Sequence, residues 1–434
     1  MLTAGPGSST FAQRSSAESA LLAHARAIHE KIITLDTHVD FSPADLVGER
    51  NYTLRLETQF NLPKMNDGGL NALFFVVYVG QTRETQNPDA LKPAGYERAY
   101  NAAIEKFEAV RRFVLEIAPD YMELAVTSGD VRRLHALGKK AALVGVENGY
   151  PIGEYISRVK EFYDRGARYL SLTHNGHNQL SDSHTGERDG WKWHGLSPLG
   201  KLIIAEMNRI GIMIDVSHAS KESMMQAAAL SATPIIASHS AARALCDVSR
   251  NMDDEQLLTL KKTGGVIQIV AYGGFVKTAK PESPERAAAL SALRKEYNLP
   301  EPRGPGPQTR PGAHAALLRL SAEQRAEYEE KLAAIDEQYP GDPPATVKDF
   351  VNHIDYAVSL LGIDHVGIAS DFDGGGGIAG WNDASETFNV TLELVRRGYG
   401  EKQIEKLWGG NLLRVMDEVQ SSASEMQKKS EKLM

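Results

Sequence analysis

The chain has 434 residues, 42% hydrophobic and 24% charged, the balance of a globular protein with one large α/β domain or two ordinary ones. A net charge of −8 without any block of basic residues excludes the electrostatic footprint of a nucleic-acid binder. The single cysteine, Cys246, excludes an internal disulfide framework and a thiolate-rich zinc site, and no apolar run reaches the roughly 18–20 residues that cross a bilayer.

Residues 1–30 read as a flexible leader and a first helix. The opening MLTAGPGSSTFAQRSSAES has neither the basic start nor the apolar stretch of an intact signal peptide. Localisation therefore stays open between the cytoplasm and an exported site reached after removal of a signal.

Eight apolar runs follow: Leu35–Phe41, Leu70–Val79, Ala141–Glu147, Arg168–His174, Gly211–His218, Pro234–His239, Gly264–Tyr272 and His365–Asp371. Most are continuously apolar, as in parallel strands buried on both faces. Between them, Ile104, Phe107, Val110, Phe113, Val114 and Ile117 recur at helical spacing, and Ser197-Pro198 opens another helix reaching about Arg209. This alternation predicts a (β/α)8 TIM barrel over residues 31–418, with an open doubly wound sheet as the competing arrangement. An extra short strand is expected in Met122–Thr127. A Pro-, Glu-, Arg- and Lys-rich insertion, about 277–346, separates the seventh and eighth runs. It reads as a solvated helical excursion, with a lid or subunit contact as the alternative. Residues 419–434 read as a polar, frayed tail.

The chemistry gathers where the runs end, because a parallel barrel collects its strand ends at one face. The first run carries His38 and Asp40 two apart, hence on one side of a strand. Alone, they are as compatible with a structural hydrogen-bonded pair as with a metal grip. Glu147 closes the third run, where a carboxylate is costly to bury unless paired or metal-bound. His218 and His239 close the fifth and sixth. Five such groups at one mouth suit two zinc ions that share Glu147 and a bridging hydroxide.

His174, closing the fourth run, reads as a further ligand or, preferably, as a hydrogen-bond donor to an oxyanion. His177, His184 and His194 fall in the loop beyond it. His24, His29, His135, His314 and His353 read as surface histidines. Asp371 is the inward carboxylate of the last run, with Asp373 two residues on. Gly374–Gly377 lack the phosphate-loop pattern and suggest flexibility near the pocket. Arg250 offers a guanidinium suited to a carboxylate. Tyr272, ending the seventh run, is expected to line the substrate pocket.

The stretches LDTHVDF, GVENG, YLSLTHNGHN, NRIGIMIDVSH, PIIASHSAARALCDVSRNMDD and HVGIASDFDG span about residues 33–415. In this order they resemble the membrane (renal) dipeptidase family of zinc metallopeptidases, in the amidohydrolase superfamily, and its bacterial members most. The resemblance implies two zinc ions bridged by Glu147, one held by His38 and Asp40, the other by His218 and His239. It also implies that His174 contacts the scissile carbonyl and Arg250 the C-terminal carboxylate of a dipeptide. Asp371 would hold the free amine and move the proton. A homodimer is implied as well. No C-terminal lipid-anchor signal is seen, so membrane anchoring is not implied.

Two rival readings remain. One is a related binuclear metal amidohydrolase acting on another amide, a lactone or a phosphoester. Many such barrels carry H-x-H on the first strand and a bridging modified lysine, whereas this chain has H-x-D and a glutamate. The other is a non-catalytic barrel that binds peptide or metal as a scaffold.

Overall fold

In the computed structural model, which describes residues 7–81, 87–300, 317 and 319–432, nine parallel strands form one sheet. They are β1 (Leu35–Val39), β2 (Ala72–Tyr78), β3 (Met122–Leu124), β4 (Lys140–Glu147), β5 (Ala167–Ser171), β6 (Met213–Asp215), β7 (Ile235–Ser240), β8 (Val266–Val270) and β9 (Val366–Ala369). Eight of them pair in the order β1-β2-β4-β5-β6-β7-β8-β9. The ring closes where Val39 bridges Phe372, with Asp371 N–H donating to His38 O (3.1 Å) and Asp40 N–H to Phe372 O (2.9 Å). The expected (β/α)8 barrel is therefore what the chain forms. The short β3 pairs with Lys140–Ala142 at the start of β4, below the point where β5 takes over at Val144.

The strands hold because they are buried throughout: every residue of β1, β5, β6, β7, β8 and β9 is inaccessible to solvent or nearly so. Helices begin where a side chain can satisfy free backbone N–H groups. Ser197 caps the helix Pro198–Ile210 by accepting from Gly200 N–H, with Pro198 in the first turn. Asp253 and Gln256 form a reciprocal cap on Asp254–Lys262, as Thr346 and Asp349 do on Val347–Leu361.

The floor of the barrel is apolar. Leu35, Phe74, Tyr169, Met213, Ile236 and Val266 join Leu412, Leu413, Val415, Met416 and Val419 of the helix Asn411–Glu431 in one buried cluster. This explains one departure from expectation. Residues 421–431 are helical, not frayed, because Ala423 is buried and Gln427 donates to Arg209 O. Their polar composition reflects only the face turned to water.

Two histidines read as surface groups are buried instead. His29 bonds Thr391 Oγ1 (2.7 Å) and Gly68 O (2.8 Å). His353 accepts from Ala242 N–H and reaches Val276 O, both at 3.1 Å. Each sits on a helix, and its two ring nitrogens are satisfied by elements remote in sequence. His314 lies outside the described residues. Between β8 and β9, helices Pro284–Glu296 and Ala322–Gln338 pack through Tyr297 on Tyr328, their ring centroids 5.4 Å apart.

Candidate metal centre

Carboxylates and imidazoles converge at the carboxyl end of the barrel. Glu147 ends β4 and is buried, with its two oxygens facing different neighbours. Oε1 lies 3.0 Å from His218 Nε2 and 3.3 Å from His239 Nε2, while Oε2 lies 3.8 Å from His38 Nε2. His38 Nε2 is also 3.6 Å from Asp40 Oδ2 and 3.8 Å from Asp371 Oδ1. His174 Nε2 stands further out, 3.9 Å from Glu147 Oε1. Three overlapping donor sets result: His38, Glu147 and His239; Glu147, His174 and His218; His38, Asp40 and Asp371.

Several of these side chains lie just past the strands, where the backbone turns sharply. His218 (φ 65°), Asp371 (φ 60°) and Asn148 (φ 77°) are in the left-handed region, strained for residues other than glycine. That turn aims the side chain back over the mouth. The glycines after Asp371 permit close approach. A Cβ at Gly374 would lie 2.3 Å from Asp40 Oδ2 and 2.4 Å from Asp371 Oδ1, and one at Gly376 1.9 Å from Ser370 O. Asp373 is spent on structure, its carboxylate accepting from the N–H groups of Gln59 (2.9 Å) and Phe60 (3.2 Å).

Each candidate ligand histidine has its outer nitrogen, Nδ1, committed. Tyr169 donates its hydroxyl to Thr37 O, so it receives His38 Nδ1–H, at 3.1 Å in both cases. Ser238 donates to Asp215 Oδ2 (2.7 Å) and so receives His239 Nδ1–H (2.9 Å). His218 Nδ1–H donates to the side-chain amide oxygen Oδ1 of Asn175 (3.1 Å), which also receives His184 Nε2–H (2.9 Å). In their neutral forms, with the proton on Nδ1, all three present an Nε2 lone pair to the centre. His38 Nε2 is buried without any hydrogen-bond partner. Orphaned lone pairs beside carboxylates are the donor set that divalent cations such as zinc accept. The residues therefore fit a metal centre.

The electrostatics point the same way. Burial raises Glu147 to about 8 and Asp371 to about 7, because neither carboxylate tolerates its charge unneutralised there. At His38 burial opposes the charged form, yet Glu147, Asp40 and Asp371 overcome it and lift the imidazole to about 9. Burial and the Arg250 charge hold His174 down to about 3, so it is neutral. The half of the site around His38 calls for a positive charge.

Arg250 is buried, donating to Ser240 Oγ (2.8 Å) and His239 O (2.6 Å), while its Nε has no partner. A buried guanidinium N–H without a partner among the described residues has an unmet demand for an acceptor. Its guanidinium carbon is 5.5 Å from the Phe275 ring, on which Tyr272 stacks at 4.2 Å. Sequence reasoning missed Tyr78, Tyr169, Asn175, Asp215 and Ser238, whose roles depend on cross-strand register. The one available signal was their position, one to five residues from a strand-end histidine or, for Tyr78, level with Glu147 on the neighbouring strand.

Residues 22–430 match the family described as membrane dipeptidase (peptidase family M19). The chain is 29% identical over 374 residues to Dipeptidase tcpJ of Claviceps purpurea, covering 86% of this chain and 72% of that one. It is similar to the solved structure of the probable dipeptidase PvdM from Pseudomonas aeruginosa, at 33% identity and a TM-score of 0.74, covering 93% and 99% of the two chains. A metallo peptidase from Rhodobacter sphaeroides, liganded with a phosphinate mimic of the dipeptide L-Ala-D-Ala, shares the fold at a TM-score of 0.63 and 21% identity, covering 89% and 99%.

Proposed function

Since the chain belongs to the membrane dipeptidase family and is a metallo-dipeptidase, we propose that it cleaves free dipeptides with two zinc ions held by His38, Asp40, Glu147, His218 and His239. The observation that carries this reading is the division of Glu147, Oε1 toward His218 and His239 and Oε2 toward His38. One carboxylate so divided would suit two cations. When bound, such cations polarise a carbonyl and make water a competent nucleophile near neutral pH.

The protein's own groups supply the rest. Arg250 Nε–H, free of protein partners, takes the C-terminal carboxylate, and Tyr272 and Phe275 wall that end of the pocket. His174, neutral and at the edge of the cluster, donates to the scissile carbonyl oxygen as negative charge develops there. Asp371, buried beside His38, takes a proton from the attacking water and returns it to the leaving nitrogen. It also lies within reach of the free amine. The Arg250 clamp at one end and Asp371 at the other restrict the substrate to two residues.

Zinc-loaded protein is expected to hydrolyse L,L and L,D dipeptides such as Ala-Ala, and to cleave the corresponding C-terminal amide at least about tenfold more slowly, since a charged clamp contributes a few kcal/mol. Equal rates on acid and amide, or turnover confined to lactones or phosphoesters, contradict the reading.

A further inference from the structure

Four imidazoles approach Glu147, and spacing alone leaves the fourth, His174, either a ligand or a donor. Glu147, His174 and His218 form one possible donor set. The distinction lies in what each outer nitrogen meets. Tyr169 and Ser238 have their own protons engaged elsewhere, and the side-chain amide oxygen of Asn175 has none to give, so His38, His239 and His218 must donate from Nδ1.

His174 is different. Its Nδ1 lies 3.2 Å from the hydroxyl of Tyr78, with the two ring centroids 4.5 Å apart. Tyr78 ends β2 in register with Glu147, so the phenol sits at the level of the cluster. Its hydroxyl has no other partner among the described residues. If His174 Nδ1–H donated to it, the phenolic proton of this half-buried residue would have no protein acceptor among the described residues and would depend on water, at some cost. A phenol that donates to Nδ1 avoids this cost. A neutral imidazole that accepts at Nδ1 carries its proton on Nε2, the nitrogen facing the site.

We propose that Tyr78 is the positioning residue that fixes His174 as the Nε2–H tautomer, making it a donor to the substrate carbonyl instead of a metal ligand. The inference rests on the dipeptidase reading above for the carbonyl, but the tautomer is a property of the chain itself.

The test is nitrogen NMR of protein labelled with 15N-histidine, metal-free and zinc-loaded, comparing the parent with Tyr78→Phe and assigning His174 from His174→Gln. In the parent, His174 is expected to be protonated at Nε2 while His38, His218 and His239 are protonated at Nδ1 in the zinc-loaded form. In Tyr78→Phe, His174 is expected to shift substantially to Nδ1–H, and kcat on Ala-Ala to fall about 10–100-fold with KM changed by less than about twofold, the usual size of an outer-partner effect. An unchanged His174 tautomer in Tyr78→Phe, or a kcat within about twofold of the parent, overturns the inference. Absence of dipeptide hydrolysis in the parent would instead overturn the functional reading, and the NMR comparison of metal-free protein would still decide the tautomer.

Discussion

The Nε2 atoms of His218 and His239 face each other at 3.0 Å, while the Nδ1 atoms of both rings are engaged as donors. Two neutral imidazoles in this arrangement bring lone pair against lone pair, and Glu147 Oε1 adds negative charge at 3.0 and 3.3 Å. A cation relieves this repulsion. Chelator-stripped protein is therefore expected to melt at a lower temperature than zinc-loaded protein, with about 2.7 kcal/mol gained per site at a hundredfold excess of zinc over its Kd. Scanning calorimetry of the two forms measures it, and coincident transitions would contradict the assignment of these histidines.

Asp215 anchors His239 without touching the centre. Its carboxylate accepts from Ser171 Oγ, Ser238 Oγ (2.7 Å), Ser217 N–H (3.0 Å) and Ser238 N–H (2.8 Å). Asp215→Asn replaces one acceptor oxygen by a donor and frees Ser238 to present its proton to His239 Nδ1. Zinc affinity is expected to fall about 10–100-fold, read by competition with a chromophoric chelator. Unaltered affinity would show that the serine hydroxyl does not control the ring.

Gly374 is a position where only hydrogen fits. Its backbone φ is not in the left-handed region, so alanine introduces no dihedral strain, only a methyl group 2.3 and 2.4 Å from the oxygens of Asp40 and Asp371. Gly374→Ala should depress kcat/KM on dipeptides at least about tenfold through displacement of these carboxylates, with a stability change of at most about 2 kcal/mol. Steady-state kinetics beside urea unfolding separates the two effects. A kcat/KM equal to the parent would mean that the two carboxylates need no fixed separation.

His353 makes stability depend on pH away from the metal centre. Burial lowers it to about 4, outweighing the hydrogen bond to Val276 O that favours the charged ring. Protonation would displace the Ala242 N–H that its Nδ1 accepts. Between the unfolded value of about 6.5 and the folded value of about 4, the unfolded chain binds the extra proton. The contribution is thus complete above pH ~6.5, is lost as pH falls toward ~4, and amounts to no more than about 3 kcal/mol. Urea unfolding of the parent and of His353→Gln at several pH values should show a shallower acid slope in the variant. Identical slopes would assign the dependence to other groups.

The barrel was legible because burial on both faces leaves a plain mark, eight mostly apolar runs, and several of the residues that end them are ones that meet. Less legible was how far the site extends past the ladders. β6 stops at Asp215 and β9 at Ala369, so His218 and Asp371 leave the sheet before they turn inward. Sequence patterning registers hydrophobic runs, and it is blind to a left-handed turn at a residue that is not glycine. The partners of the histidines were hidden for another reason. Tyr169 looks like any core aromatic, and its hydroxyl acquires meaning only because β5 and β1 bring it to both Thr37 O and His38 Nδ1. His29 and His353 were misread because a buried histidine on a helix differs from a surface one only in what packs against it.

The central claim is a two-cation dipeptidase centre built around Glu147. Its most direct test is titration of chelator-stripped protein with zinc, following bound metal by elemental analysis and Ala-Ala hydrolysis in the same samples. The account predicts no hydrolysis without metal and activity that saturates at about two ions per chain. Full hydrolysis by metal-free protein, or saturation at one bound ion, would contradict it.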